Sequence, residues 1–323
     1  MAYLITGGTG FLGSYVVRDL LKKGIKDIVC LQRSGITQVF RDIAGAENAD
    51  KIKVIQGDIG DTVWLFNVIR DNNIDIIIHL GFVLEPVASL QPAYALKVNC
   101  IGINNMLEAV RLFKLKRLVW TSSSRCFGNL GETWTEPVGG DDALYMPDDC
   151  YGATKALDEF MMKLYYNKFG VDSITVRMAR SFGIGKWTGG GATVSQFIKE
   201  CALNIPTTIG GAHHVTPWQY IEDTADLVIK SCEVLTTKSR IFNTGEELSI
   251  SQMVEIIRKI NPEAKVTVEE RLGVGKVFVP ASHPKIDIST TEAEIGWTPK
   301  YSIEGGLRLM MNYFRRQEGM SEL

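Results

Sequence analysis

The chain has 323 residues, 45% of them hydrophobic and 22% charged, with a formal net charge of −2 at neutral pH. That length supports a large core or two lobes, and the balance is that of an ordinary globular protein, not a disordered one. The near-zero charge argues against nucleic acid or an anionic membrane as partner, and no apolar run approaches the roughly 20 residues of a membrane span.

In chain order, strand-like runs at 2–5, 27–31, 52–56, 74–80, 117–121 and 173–177 alternate with amphipathic stretches at 13–23, 62–72, 93–113 and 151–169. Such alternation predicts right-handed βαβ units: an α/β protein with a doubly wound parallel sheet and helices on both faces. From Met178 the rhythm breaks, with Gly183, Gly185 and three glycines at 189–191 bracketing a loop. Residues 242–245 read as a late strand that rejoins the sheet, whereas 249–260, 265–269 and 302–316 read as a smaller C-terminal α/β lobe. The expected division is 1–177 plus about 221–246 for the larger domain, and 178–220 plus 247–323 for the substrate-binding lobe.

Cys30, Cys100, Cys126, Cys150, Cys201 and Cys232 are scattered, without a CxxC or a metal-like pairing with histidine. They read as free thiols of a reducing compartment, so a cytoplasmic protein without a metal is expected. The first strand pattern begins at residue 3, which leaves no room for a leader.

Between the first strand and helix runs Thr6-Gly7-Gly8-Thr9-Gly10-Phe11-Leu12-Gly13. In that context Gly7 permits a sharp turn, Gly10 lets backbone approach a pyrophosphate, and Gly13 lets the helix pack close to the strand. The helix N-terminus adds free N–H groups and a positive dipole end, so a dinucleotide is the expected ligand. After the second strand, an acid would select the ribose hydroxyls of NAD. Here that slot reads Leu31-Gln32-Arg33-Ser34. Arg33 can pair with a 2′-phosphate or be a solvated loop residue, so NADP is favoured and NAD is the alternative. Asp58, followed by Ile59 after the third strand, is placed either to meet the adenine or to cap a helix.

Tyr151 and Lys155 stand at i and i+4 on one helix face. A free phenol titrates near pH 10. Lowering it by about 3 units takes roughly 4 kcal/mol, which a neighbouring ammonium and a cationic nicotinamide can supply. Thr121-Ser122-Ser123-Ser124 closes the fifth strand, at the sheet edge where doubly wound folds bind ligands. A hydroxyl there can donate to a developing oxyanion, although serines at strand ends are also turn formers.

With these motifs the chain resembles the extended short-chain dehydrogenase/reductase family, also called the NAD-dependent epimerase/dehydratase family. TGGTGFLG at 6–13 is similar to its TGxxGxxG and Tyr151 with Lys155 to its YxxxK. His79-Leu80-Gly81 resembles its HLA strand end, Val98-Asn99-Cys100-Ile101-Gly102 its VNxxG helix, and Phe127-Gly128 its YG. The resemblance implies a Rossmann sheet, with Tyr151 as acid/base and Lys155 holding the nicotinamide ribose. Ser123 would orient the substrate oxygen, with Ser122 and Ser124 as neighbouring alternatives. Leu80, Gly81 and Asn99 would lie by the cofactor. It also implies a homodimer through a four-helix bundle of 93–113 and 151–169, with Leu107, Val110, Leu157, Met161 and Leu164 either as apolar surface of that bundle or facing the sheet.

Departures from the family narrow the substrate. Its sugar-nucleotide dehydratases have Asp-Glu after the catalytic hydroxyl, where this chain has Ser124-Arg125. Members acting on nucleotide sugars carry an asparagine in RxxN, where this chain has Arg177-Met178-Ala179-Arg180, and a further arginine that is missing from 216–223. Arg180 can instead hold one carboxylate or phosphate, or form an interlobe salt bridge. Phe82, Ser124, Trp187 and Trp218 are expected around a rather apolar substrate pocket, and His213-His214 in a lid or loop. The expected activity is hydride transfer between NAD(P) and a secondary alcohol or ketone of a small-molecule substrate. The alternatives are an epimerase holding NAD tightly and, more remotely, a non-catalytic dinucleotide sensor.

Overall fold

Six short runs rich in β-branched residues form the strands of the first half. They are β1 (Tyr3–Thr6), β2 (Ile28–Gln32), β3 (Lys53–Gln56), β4 (Ile76–His79), β5 (Arg117–Ser123) and β6 (Ser173–Met178). β7 (Arg180–Phe182), β8 (Thr207–Gly210), β9 (Val215–Tyr220), β10 (Ile241–Asn243), β11 (Glu246–Ser249) and β12 (Val266–Glu269) follow. The computed structural model describes all residues except 34, 143, 188–191 and 272–282.

β3-β2-β1-β4-β5-β6-β10 is the order of the main sheet, and every neighbouring pair is parallel. Strands β1 and β4 are buried along their whole length, as central strands covered on both faces must be. Helices α1 (Phe11–Lys22), α2 (Gln38–Ala44), α3 (Thr62–Asp71), α4 (Val87–Leu90), α5 (Pro92–Ala95), α6 (Gly102–Phe113) and α7 (Cys150–Phe169) lie between or after the strands. The later helices are α8 (Ala192–Ala202), α9 (Ile221–Glu233), α10 (Ile250–Ile260), α11 (Ser289–Ile295) and α12 (Ile303–Gln317). Strand alternation divides the core: Ile5 faces α1, α2 and α9, while Leu4 faces α3, α6 and α7. The single helix expected over 93–113 is instead α5 and α6 joined by a π-helical turn, Leu96–Ile101. Such wide turns recur at functional sites, and this one carries Asn99.

A second apolar cluster, with Phe197, Trp218, Ile257 and Met310, is built by α8, α10, α12 and the small sheets β11-β9-β7 and β12-β8. The late strand rejoins the main sheet as β10, beside β6. One segment of the expected lobe does not stay with it. Ile295 and Trp297 pack against the α1 and α9 layer, and Trp297 Nε1 donates to the carbonyl of Asp223 (3.1 Å). Among the described residues no helix is long and apolar enough to cross a membrane, and all six cysteines are free.

Arg177 and Glu159 tie α7 to the sheet. The guanidinium makes two contacts to the carboxylate, Nη2–Oε2 at 2.6 Å and Nε–Oε1 at 3.0 Å, and both side chains are fully buried. Removing one partner strands the other charge in a dry interior. Glu159→Ala is therefore expected to lower unfolding stability by about 3–5 kcal/mol in urea denaturation, and a loss of only a few tenths would show that water reaches Arg177.

Candidate active site

Strand order reverses between β1 and β4, and a crevice beyond the C-terminal ends of strands at such a point is where doubly wound sheets bind ligands. One side chain ties the two ends together. Thr6 Oγ1 accepts the backbone N–H groups of Leu80 and Gly81, both at 3.1 Å, and lies 2.6 Å from His79 Nδ1. With two donors already on its oxygen, the hydroxyl gives its own proton to the ring. His79 is fully buried, and desolvation, aided by Lys155, pushes its pKa well down, so the imidazole is neutral.

The glycine turn follows at once. Gly7 has φ +68°, the left-handed region that favours glycine. A Cβ on Gly13 would sit 2.1 Å from the Gly7 carbonyl oxygen, so the start of α1 can lie against the turn only if residue 13 lacks a side chain. The first turn of α1 contains no acid to compete for an anion. These features fit a dinucleotide pyrophosphate. Gly7, Gly10, Phe11, Leu12 and Gly13 all line a groove of about 710 Å³ that runs from here to Tyr151.

At one end of the groove stand Gln32, Arg33, Asp58 and Ile59. Gln32 folds back onto the turn: in the amide orientation that satisfies both of its polar atoms, the oxygen accepts from Gly8 N at 2.8 Å. Arg33 is exposed, has no acidic partner among the described residues, and donates to the Tyr94 hydroxyl at 2.6 Å. Asp58 takes Lys97 Nζ (2.6 Å) and the N–H of Gly60 (2.8 Å), which hold its pKa down. The cap of α3 belongs to Asp61, whose carboxylate accepts from Trp64 N.

The other end is built around the first turn of α7. Asp149 caps it by accepting from Gly152 N (2.6 Å), and Glu85 accepts from Tyr151 N (3.1 Å). Arg125, which follows the serine strand end, pairs with Asp149 and Asp148. Ser123 Oγ accepts from Arg125 N (3.2 Å), and its hydroxyl opposes the rise of the Tyr151 pKa. Tyr151, Ser123, Ser122 and Ser124 all line the groove, with Leu80, Gly81 and Phe82 nearby.

Lys155 departs from expectation. Its Nζ is fully buried and donates to the Thr121 carbonyl (2.7 Å), over the ring of Phe82 and 4.8 Å from that of Trp120. It does not line the groove. Burial pushes its pKa well below the ordinary lysine value. The expected lowering of Tyr151 by this ammonium is absent too: burial raises the phenol well above its usual value, and the neighbouring Ser123 hydroxyl only opposes that shift. Burial disfavours the charged form of the lysine itself. Asn99, expected beside the cofactor, is also fully buried. It clamps the segment after β4, accepting from Val83 N (2.8 Å) and donating to the Val83 carbonyl and Thr154 Oγ1 (both 3.1 Å).

Of the substrate residues, Phe82, Ser124 and Arg180 line the groove, but Trp187 and Trp218 do not. Trp218 is buried in the second cluster, and Trp187 stacks on Tyr313 with ring centroids 5.9 Å apart. Each is more apolar than a groove wall needs to be, and the lobe's own core takes it. His213 forms an exposed pair with Glu270 (3.0 Å). Sequence reasoning missed Tyr94, Lys186, Thr216 and His283, which also line the groove. No spacing rule could have found them, because they come from four separate elements.

The match to the GDP-mannose 4,6 dehydratase family model covers residues 4–310. The chain belongs to the extended short-chain dehydrogenase/reductase family. It is an enzyme of that NAD-dependent type. A UDP-glucuronate 4-epimerase from Thermodesulfobacterium geofontis is 29% identical over 96% of this chain and 95% of its own. A dTDP-glucose 4,6-dehydratase from Xanthomonas campestris is 23% identical over 97% of this chain and 92% of its own. Among solved structures, L-threonine 3-dehydrogenase from Trypanosoma brucei shares the fold with a TM-score of 0.83, at 21% identity over 99% of both chains. Family members thus include an epimerase and a dehydratase.

Since a methyl group on residue 13 would collide with the turn, Gly13→Ala is expected to weaken dinucleotide binding by at least about tenfold in a fluorescence titration with NADPH. Unchanged affinity would place the pyrophosphate elsewhere.

Proposed function

We propose that this enzyme is an NADP-dependent oxidoreductase acting on the secondary alcohol or ketone of a small substrate, with Tyr151 as the acid/base. The observation that carries the reading is that Ser123 and Tyr151 line one groove, the one that begins at the glycine turn. A bound nicotinamide would supply the hydride acceptor or donor. The chain's residues handle the proton and the oxygen. With its pKa raised by burial, Tyr151 stands as the acid, able to protonate a carbonyl oxygen as hydride reaches the carbon. Ser123 donates to the same oxygen. Lys155, held on the Thr121 carbonyl, steadies the helix face beneath the phenol.

NADP is supported by the absence of an acid at the end of β2 and by an exposed arginine beside it. Dehydration is disfavoured because Ser124-Arg125 follow Ser123, and the acids nearest to them, Asp148 and Asp149, are bound to that arginine. Epimerisation is the second reading, supported by the 29% identity to an epimerase. A substrate-binding lobe of 178–220 and 247–323 is consistent with the second apolar cluster, apart from the segment that carries Trp297. A homodimer through α6, α7 and the π-turn is supported by exposed Leu96, Ile101, Leu157 and Phe160. Leu107 and Val110 are buried within the subunit and take no part in that face. The free thiols suit a cytoplasmic location.

Tyr151→Phe is expected to cut kcat by roughly 10²–10⁴ while leaving NADPH affinity unchanged; retained turnover would remove the proposed acid/base. An epimerase would turn over with no net change in nicotinamide absorbance. Arg33→Ala is expected to weaken NADP binding by about tenfold and leave NAD binding unaltered, and an equal loss for both would reassign Arg33 to a general rim contact.

A further inference from the structure

Arg180 is a cation without a counter-ion. Of the buried arginines, Arg117, Arg177 and Arg240 each meet a carboxylate, from Asp172, Glu159 and Asp172 respectively, and Arg315 is held by the carbonyls of Ala202 and Ser321. The Arg180 guanidinium lines the groove, yet among the described residues it makes no ion pair. Its Nε is buried without a hydrogen-bond partner, and its one aromatic neighbour is the face of Trp218, 5.4 Å away. The acids that share the groove are engaged elsewhere, Glu85 with Tyr151 N and Ser89, and Asp58 with Lys97. Four more polar groups of residues lining the groove are unsatisfied: Ser122 Oγ, Arg125 Nη1, Thr216 Oγ1 and His283 Nδ1. Thr216 and His283 are both more than nine-tenths buried, with 1% and 8% of their surface exposed. Orphaned groups of this kind are costly in a protein interior unless something fills the site. Burial first, then neighbouring cations, pulls the Arg180 pKa to about 10 and that of His283 to about 3. A bound anion would relieve both.

We infer that the substrate carries a carboxylate, held by the Arg180 guanidinium with Thr216 and His283 at its sides, while Ser123 and Tyr151 meet its reacting oxygen. The inference rests on the oxidoreductase reading and deepens it. One planar guanidinium matches one carboxylate through paired N–H donors. A diphosphate would need more cations: Arg125 is neutralised by Asp148 and Asp149, and the groove-lining Lys186 lies over the Phe11 ring (5.4 Å), at the glycine-turn side of the groove.

The test is calorimetric titration of the NADPH-saturated protein with malonate, its neutral isostere malonamide, and UDP. Saturable malonate binding is expected, with malonamide and UDP at least about tenfold weaker. Arg180→Gln should weaken malonate by about tenfold or more, Arg180→Lys by less, and neither should alter NADPH affinity. UDP binding more tightly than malonate, or malonate affinity unchanged in Arg180→Gln, would overturn the inference. If Arg180→Gln fails to fold by circular dichroism, the wild-type comparison of malonate with malonamide and the Thr216→Val variant decide instead. Should the wild-type protein not bind NADPH, the cofactor reading falls on its own, and malonate titration of the free protein still judges the carboxylate site.

Discussion

One hydroxyl sits where the two halves of the main sheet diverge. Thr6 holds the ends of β1 and β4 in register by accepting two backbone N–H groups and donating to a neutral, buried histidine. Everything that lines the groove is placed relative to this junction. The glycine turn leaves from one side of it, and the Leu80–Phe82 segment leaves from the other. Because Thr6 is itself buried, its hydrogen bonds do not compete with water, and the junction is stiff.

The same dryness governs the electrostatics. It moves acids and bases in opposite directions: Tyr151 upward, Lys155, His79 and Arg180 downward. Each shift favours the neutral form, which is the signature of desolvation rather than of charge pairing. A site tuned in this way is electrically incomplete until charged ligands arrive. On the proposed reading the phenol is the acid and the guanidinium the anion holder. Elsewhere the protein does the reverse, completing its buried charges internally, as Arg177 does with Glu159.

Asn99 and Glu85 illustrate how positioning differs from catalysis. Neither donates to a reacting atom in the geometry described, yet Asn99 fixes the main chain of Val83 and Glu85 holds the first N–H of the tyrosine. The π-turn that carries Asn99 widens the helix enough for its amide to reach across to Thr154. Catalytic geometry here is therefore a property of three elements clamped together, not of one helix bearing a tyrosine and a lysine.

How much of this was written in the order of residues varies with the range of the interaction. The alternating strands, the glycine turn, the β10 return, and the positions of Ser123 and Tyr151 are local or periodic features, and local sequence determines them through backbone sterics and two simple repeats. The sequence also singled out Arg180 as a residue able to hold one carboxylate or phosphate, although the strand that carries it, β7, came only with the structure. Only the tertiary structure decided which groups Lys155 and Asn99 touch, that Trp187 and Trp218 belong to the lobe core, that residues near Trp297 return to the large sheet, and that Thr216 and His283 join Arg180. Burial and partnership depend on segments as distant as residues 82 and 155, or 180 and 283, meeting in space. A pKa or an unpaired charge exists only once those neighbours, and the absence of water between them, are set.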